Sequence, residues 1–147
     1  MGTYTRITYQ IVFQTYHWEP TLIKQHREEL FRFISGILIK KNCFVYRVGG
    51  IENHIHIVAD IHPNISVSQL VKDIKLACTS MIRDKNLFPH FRGWNEGFGA
   101  FSYGPGARKN LIRYVEQQEE HHKKEMPKKE YMRLLEEFEI TFCKEYI

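Results

Sequence analysis

CFVYRVGGIENHIHIVAD, residues 43–60, is the stretch from which the fold is read. Cys43 to Val48 and Ile51 to Asp60 are rich in β-branched and aromatic residues, so both read as strands. Gly49-Gly50 between them has the spelling of a tight turn, and two strands joined so closely form an antiparallel hairpin. Along a strand, residues i and i+2 share a face. His54 and His56 therefore project side by side, while Ile55 and Ile57 point the other way, into a core beneath helices.

Upstream, Tyr4 to Phe13 alternates. Ile7, Tyr9, Ile11 and Phe13 occupy one face and Arg6, Thr8 and Gln10 the other, the pattern of a half-buried strand. After a turn at His17 to Pro20, Leu30, Phe33, Ile34, Ile37 and Leu38 recur at helical spacing. Downstream, Ser66-Val67-Ser68-Gln69 spells a capping box, with Ile65 and Leu70 placed as a hydrophobic staple. Leu70, Ile74, Ala77 and Met81 give the buried stripe of a second helix ending near Asn86. Trp94 to Ser102 predicts a fourth strand with bends at Gly97 and Gly99. Gly104-Pro105-Gly106 breaks the chain, a polar helix follows from Arg108 to Lys124, and Pro127 separates it from a helix over Lys128 to Phe138. The tail, Ile140 to Ile147, reads as a further strand or an arm. The order β-α-β-β-α-β predicts an α+β, ferredoxin-like (split βαβ) antiparallel sheet with added C-terminal helices.

The 147 residues suit one domain, and 43% hydrophobic with 26% charged residues is a globular composition, neither disordered nor fibrous. No apolar run is long enough to span a bilayer, and residues 1–14 lack a signal-peptide core, so a cytoplasmic location is expected. Cys43, Cys78 and Cys143 are odd in number and widely spaced, which reads as free buried thiols. A net charge of +4 is compatible with a nucleic-acid partner without demanding one.

Three groups of residues carry possible chemistry. Two imidazoles on one strand face can bind a divalent cation, although a solvent-facing strand with two unrelated histidines has the same spelling. Tyr114 and Gln118 lie four apart on one helical face, where a phenol and an amide carbonyl can serve as nucleophile and oxygen ligand; a helical tyrosine is also an ordinary packing residue. Lys72, Lys75, Thr79 and Arg83 form a stripe fit for phosphate contacts, or a plain solvated face, and Lys24, Arg27, Arg32, Lys40 and Lys41 add charge on the first helix. His121-His122-Lys123-Lys124 either contacts DNA or places cations at a helix C-terminus.

Taken together, these residues resemble the single-tyrosine HUH transposases of the insertion-sequence-200-like type. The resemblance rests on His54-Ile55-His56 as the HUH motif, on Tyr114-x-x-x-Gln118, on Ile65 to Ser68, on Trp94 to Ser102, and on Gln117 to Lys124. One departure is Ser102 to Gly106, where relatives carry a serine-rich link. The resemblance implies cleavage and rejoining of single-stranded DNA at hairpin-flanked element ends through a 5′-phosphotyrosine on Tyr114. It further implies Mg²⁺ or Mn²⁺ held by His54, His56 and Gln118, and a homodimer sharing its active sites. Lys72, Lys75 and Arg83 are then the expected DNA-binding residues. Three other readings stay open: a domesticated palindrome-processing relative with the same chemistry, a non-catalytic RRM-like module that stacks bases on exposed strand aromatics, and a metallohydrolase using water.

Overall fold

A computed structural model describes residues 2–147. In chain order the main elements are β1 (Thr8–Gln14), α1 (Lys24–Lys40), β2 (Phe44–Ile51), β3 (His54–Asp60), α2 (Val67–Lys85), β4 (Gly99–Tyr103), α3 (Arg108–Glu116), α4 (Gln118–His121) and α5 (Pro127–Glu137). The strands form one antiparallel sheet ordered β2-β3-β1-β4. This is the expected ferredoxin-like α+β plan.

Strand alternation divides the fold into two cores. Ile11, Phe13, Ile55, Ile57 and Ala59 face α1 and α2, where Leu30, Ile34, Leu38, Leu70, Ile74 and Cys78 are buried against them. The opposite face meets the C-terminal helices: Val12 and Phe101 pack on Tyr131, Leu134 and Leu135 of α5, and Val58 packs on Leu111 and Val115 of α3. Both faces are covered. Thr8 and Gln10, on the strand face read as polar, are consequently buried.

The hairpin turn falls later than Gly49-Gly50. β2 continues through both glycines, pairing Gly49 with His56 and Ile51 with His54, and the chain reverses at Glu52 and Asn53. A Cβ on Gly49 would lie 2.9 Å from Val115 Cγ1 and 3.0 Å from the Val115 carbonyl oxygen. Gly50, at φ +150°, would drive a Cβ into the His54 carbonyl. These glycines permit close backbone approach instead of forming the turn.

Other boundaries move for local reasons. β1 begins at Thr8 instead of Tyr4, because its ladder partners Asp60 and Tyr103 are the last residues of β3 and β4. Trp94 makes an isolated bridge to Thr15, and the β4 ladder starts only after the bend at Gly97 (φ +79°). Half of the capping box forms: Ser66 Oγ accepts from Gln69 N at 3.1 Å, but the Gln69 side chain turns forward to Asp73. Asn86, in the left-handed region, ends α2 as expected. The predicted helix over 108–124 breaks at Gln117 (φ −100°, ψ 23°) into α3 and α4. The tail is an arm with a short 3₁₀ turn at Lys144–Tyr146, and its Phe142 and Ile147 pack on the α5 cluster. All three cysteines are free; Cys43 and Cys78 are buried, and Cys143 is exposed. Among the described residues no helix is long and apolar enough to cross a membrane.

Candidate active site and metal centre

β3 turns His54 and His56 toward α4 and α5, where they are 1% and 0% exposed. They do not lie on a solvated strand. Each Nδ1 meets a fixed oxygen: Asn53 Oδ1 at 2.8 Å for His54 and Gln10 Oε1 at 2.7 Å for His56. Each Nε2 points inward, the His54 nitrogen to Gln118 Oε1 at 3.0 Å and the His56 nitrogen to Glu130 Oε1 at 3.2 Å.

Gln118 begins α4 just after the break at Gln117 and is buried. Its Oε1 also lies 2.9 Å from His122 Nε2, while its amide nitrogen donates to Glu130 Oε2 at 3.2 Å. Tyr114, near the end of α3, donates its hydroxyl to Glu130 Oε2 and accepts from Arg133 at 3.2 Å. The Tyr114 and His56 ring centroids are 6.1 Å apart. One chain thus brings together all four residues expected from the sequence: His54, His56, Tyr114 and Gln118.

At the centre stands a residue the sequence reading missed. Glu130 projects from the first turn of α5, anchored by buried Tyr131, Leu134 and Leu135, and is itself 1% exposed. His122 reaches the same carboxylate at 3.2 Å, with its Nδ1 2.6 Å from the Glu125 carbonyl oxygen. His121 lies 3.1 Å from Glu130 and 2.8 Å from Glu125. Glu125 also accepts from Arg133. His122 therefore turns inward and His121 meets Glu125 and Glu130, while Lys123 and Lys124 are exposed; His121 and Lys124 line one pocket beside Tyr114. The spacing Glu130-x-x-x-Leu134, with Tyr131 and Leu135 alongside, places Glu130 on the apolar stripe of α5, and that is the sequence signal for it.

Electrostatics follow from burial and neighbours. Burial, with His56 alongside, holds the His54 imidazole down to about 3, so it is neutral near pH 7. Burial would raise Glu130, but its contacts with His122, His56 and Tyr114 hold it far below the usual carboxylate range. Burial would lower His122, yet its contact with Glu130 raises it. Tyr114 is pushed above the usual phenol value by burial and by the Glu130 charge.

The expected DNA-binding side chains sit elsewhere. Lys72 and Arg83 are exposed on α2, across the sheet from the histidines. Lys75 turns inward and donates to the Asn95 and Gly97 carbonyls, holding the loop before β4. Arg27 is buried and bonds to the Leu22 carbonyl and Glu119, so it tethers α1 to α4. The RRM-like reading needs an open sheet face; here α3, α4 and α5 cover the one bearing His54 and His56.

In this α+β protein a tyrosine, an amide and two strand histidines share one buried polar cluster. Residues 3–118 match the family model described as IS200-like transposase, and the chain belongs to that family. It is a transposase, an enzyme acting on DNA. Among solved structures, it is similar to a protein from Deinococcus radiodurans assigned as a transposase, with 18% identity and a TM-score of 0.61 over 80% of this chain and 96% of that one. It is also similar to a REP-associated tyrosine transposase bound to a REP hairpin, with 15% identity and a TM-score of 0.61 over 83% of this chain and 74% of that one. At these identities the likeness is one of fold. No curated protein sequence matches the chain.

Proposed function

We propose that the chain cleaves and rejoins single-stranded DNA at hairpin-flanked ends, with Tyr114 as nucleophile and a divalent cation at His54, His56 and Gln118. The observation that carries this reading is the convergence of Tyr114, Gln118 and both histidines on one buried centre. The donor set fits a cation. With each Nδ1–H donated to an amide oxygen, His54 and His56 turn Nε2 lone pairs toward oxygens that themselves carry lone pairs, the arrangement a positive ion stabilises.

A bound Mg²⁺ or Mn²⁺ supplies Lewis-acid stabilisation of the charge that builds on the phosphoryl oxygens. His54, His56 and Gln118 orient that charge-bearing centre. The Tyr114 oxygen attacks phosphorus, the bond from phosphorus to the 3′ oxygen breaks, and the products are a 5′-phosphotyrosine and a free 3′-hydroxyl. Glu130 orients the Tyr114 hydroxyl, which donates to it; the phenol proton is lost to solvent and the departing 3′ oxygen takes one up. Attack by another 3′-hydroxyl on the phosphotyrosine reverses the sequence and joins new ends. A 240 Å³ pocket lined by Tyr114, Gln117, Glu120, His121 and Lys124 adjoins the tyrosine. The histidines are covered by α4 and α5, so the scissile phosphate reaches them once these helices shift or exchange with those of a second copy. Gly104-Pro105-Gly106, leading into α3, is the natural pivot for a shared-site homodimer. Hairpin recognition by this chain, with Lys72 and Arg83 as phosphate contacts, is part of the same proposal.

Labelled single-stranded hairpin DNA, incubated with the protein and Mg²⁺ or Mn²⁺, tests it. A denaturation-resistant adduct is expected, absent in Tyr114→Phe and strongly reduced in His54→Ala and His56→Ala. Cleavage that persists in Tyr114→Phe points instead to a water-using metallohydrolase.

A further inference from the structure

Resting on that metal reading and extending it, we propose that His122 and Glu130 are ligands of the same cation, which is then held by three imidazoles and a carboxylate together with Gln118. Both residues lie beyond residue 118, where the match to the family model ends.

The first argument is the orientation of His122. Its Nδ1 is 2.6 Å from the Glu125 carbonyl oxygen, a backbone acceptor that cannot donate. That fixes the proton on Nδ1 in the neutral ring and leaves the Nε2 lone pair aimed at Gln118 Oε1 and Glu130 Oε1. His54 and His56 repeat the pattern with Asn53 and Gln10 behind them. Three buried or half-buried imidazoles, each backed by an oxygen, thus present three lone pairs to one carboxylate oxygen. This is how metal-binding histidines are held in place by their outer partners.

The second argument is spacing. Neighbouring donors in the cluster are separated by 2.9 Å (His122 to Gln118), 3.0 Å (His54 to Gln118), 3.2 Å (His56 and His122 to Glu130) and 3.6 Å (His54 to Glu130). Ligands about 2.1 Å from an ion stand about 3.0 Å apart in an octahedron and about 3.4 Å apart in a tetrahedron. His54, His122 and Glu130 offer donor atoms within 4.8 Å of one another, a triad that does not include His56, which meets it through Glu130 Oε1. The neighbouring cluster of His121, Glu125 and Glu130 differs, because Arg133 already bonds to Glu125 there. Glu130 would thus offer Oε1 to the cation while its Oε2 accepts from the Tyr114 hydroxyl, tying nucleophile and metal to one side chain. A set rich in imidazole favours Mn²⁺ or a later transition ion over Mg²⁺.

Calorimetric titration of the full-length, chelator-stripped protein with MnCl₂, without DNA, provides the test. Wild type is expected to bind one Mn²⁺, and Mg²⁺ at least about tenfold more weakly. Glu130→Gln and His122→Gln are each expected to weaken Mn²⁺ binding by at least about tenfold. Melting curves of the metal-free variants check folding, and Glu130→Asp, which keeps the charge but withdraws the oxygen, is expected to bind weakly too. Variants at 122 and 130 that bind Mn²⁺ as wild type does, while His54→Ala does not, overturn this inference alone. A wild type that binds no Mn²⁺ overturns the underlying metal reading as well.

Discussion

Gly49→Ala tests whether the approach of α3 to β2 sets the position of the nucleophile. The added Cβ would lie 2.9 Å from Val115 Cγ1 and 3.0 Å from the Val115 carbonyl oxygen. Carbon contacts settle at about 3.5–4.0 Å, so α3 must retreat by at least about 0.5 Å. Rotation of the valine relieves only the first clash, because the second is with backbone. Overpacking of this kind costs about 1–3 kcal/mol, which lowers the melting temperature of a chain this long by roughly 2–12 °C. Val115 adjoins Tyr114, so the shift carries the hydroxyl with it. A 1 Å misplacement costs about a hundredfold in rate, and half of that gives about tenfold. Differential scanning calorimetry measures the first effect, and single-turnover adduct formation on hairpin DNA measures the second. Gly36→Ala is the control. A Cβ there meets nothing within 4 Å, so gaining helix propensity should add up to about 1 kcal/mol without changing the rate. A Gly49→Ala protein that melts and reacts like wild type refutes the reasoning.

Other consequences follow from the same geometry. In metal-free protein His54 is held down to about 3 while the unfolded chain titrates near 6.5, so unfolding takes up a proton at mildly acidic pH. Stability should therefore fall by about 1 kcal/mol per pH unit below about 6.5, with a further loss below 4.5 as Glu130, held low in the fold, protonates on unfolding. The raised His122 works in the opposite sense at higher pH, where its contribution is lost on deprotonation. Urea unfolding with chelator at pH 7 and pH 5 reads the slope; His54→Gln should flatten it, and an unchanged slope would contradict the assignment. Ser66→Ala removes the bond to Gln69 N and should cost about 1 kcal/mol, measured by urea midpoint. Lys75→Ala should cost about 1.5–3 kcal/mol through its charged bonds to the loop before β4, whereas Lys72→Ala should leave stability unchanged and reduce the salt dependence of DNA binding.

The strand and helix order, the two faces of β3 and the pairing of His54 with His56 were legible because period-2 and period-3.6 patterns are local. Gly49-Gly50 misled because a turn and a close approach to a distant helix require the same residue. Tyr114 and Gln118 were read as neighbours on an unbroken helix; they do converge, but across the break at Gln117. Gln10 stood on the polar side of its strand, and nothing local indicated that α4 and α5 would bury that face. Glu130 was hidden for a related reason. A glutamate on an amphipathic helix is usually solvated, and only the docking of α5 through Tyr131, Leu134 and Leu135 drives this one inward. His122 was grouped with the adjacent lysines, although its ring turns the other way.

The most direct measurement is mass spectrometry of the protein digested after reaction with single-stranded hairpin DNA and Mn²⁺. The account predicts a nucleotide joined through its 5′ phosphate to the Tyr114 side chain, with every other tyrosine unmodified. Cut DNA without a protein-linked nucleotide, or a nucleotide mapped to any other residue, would contradict it.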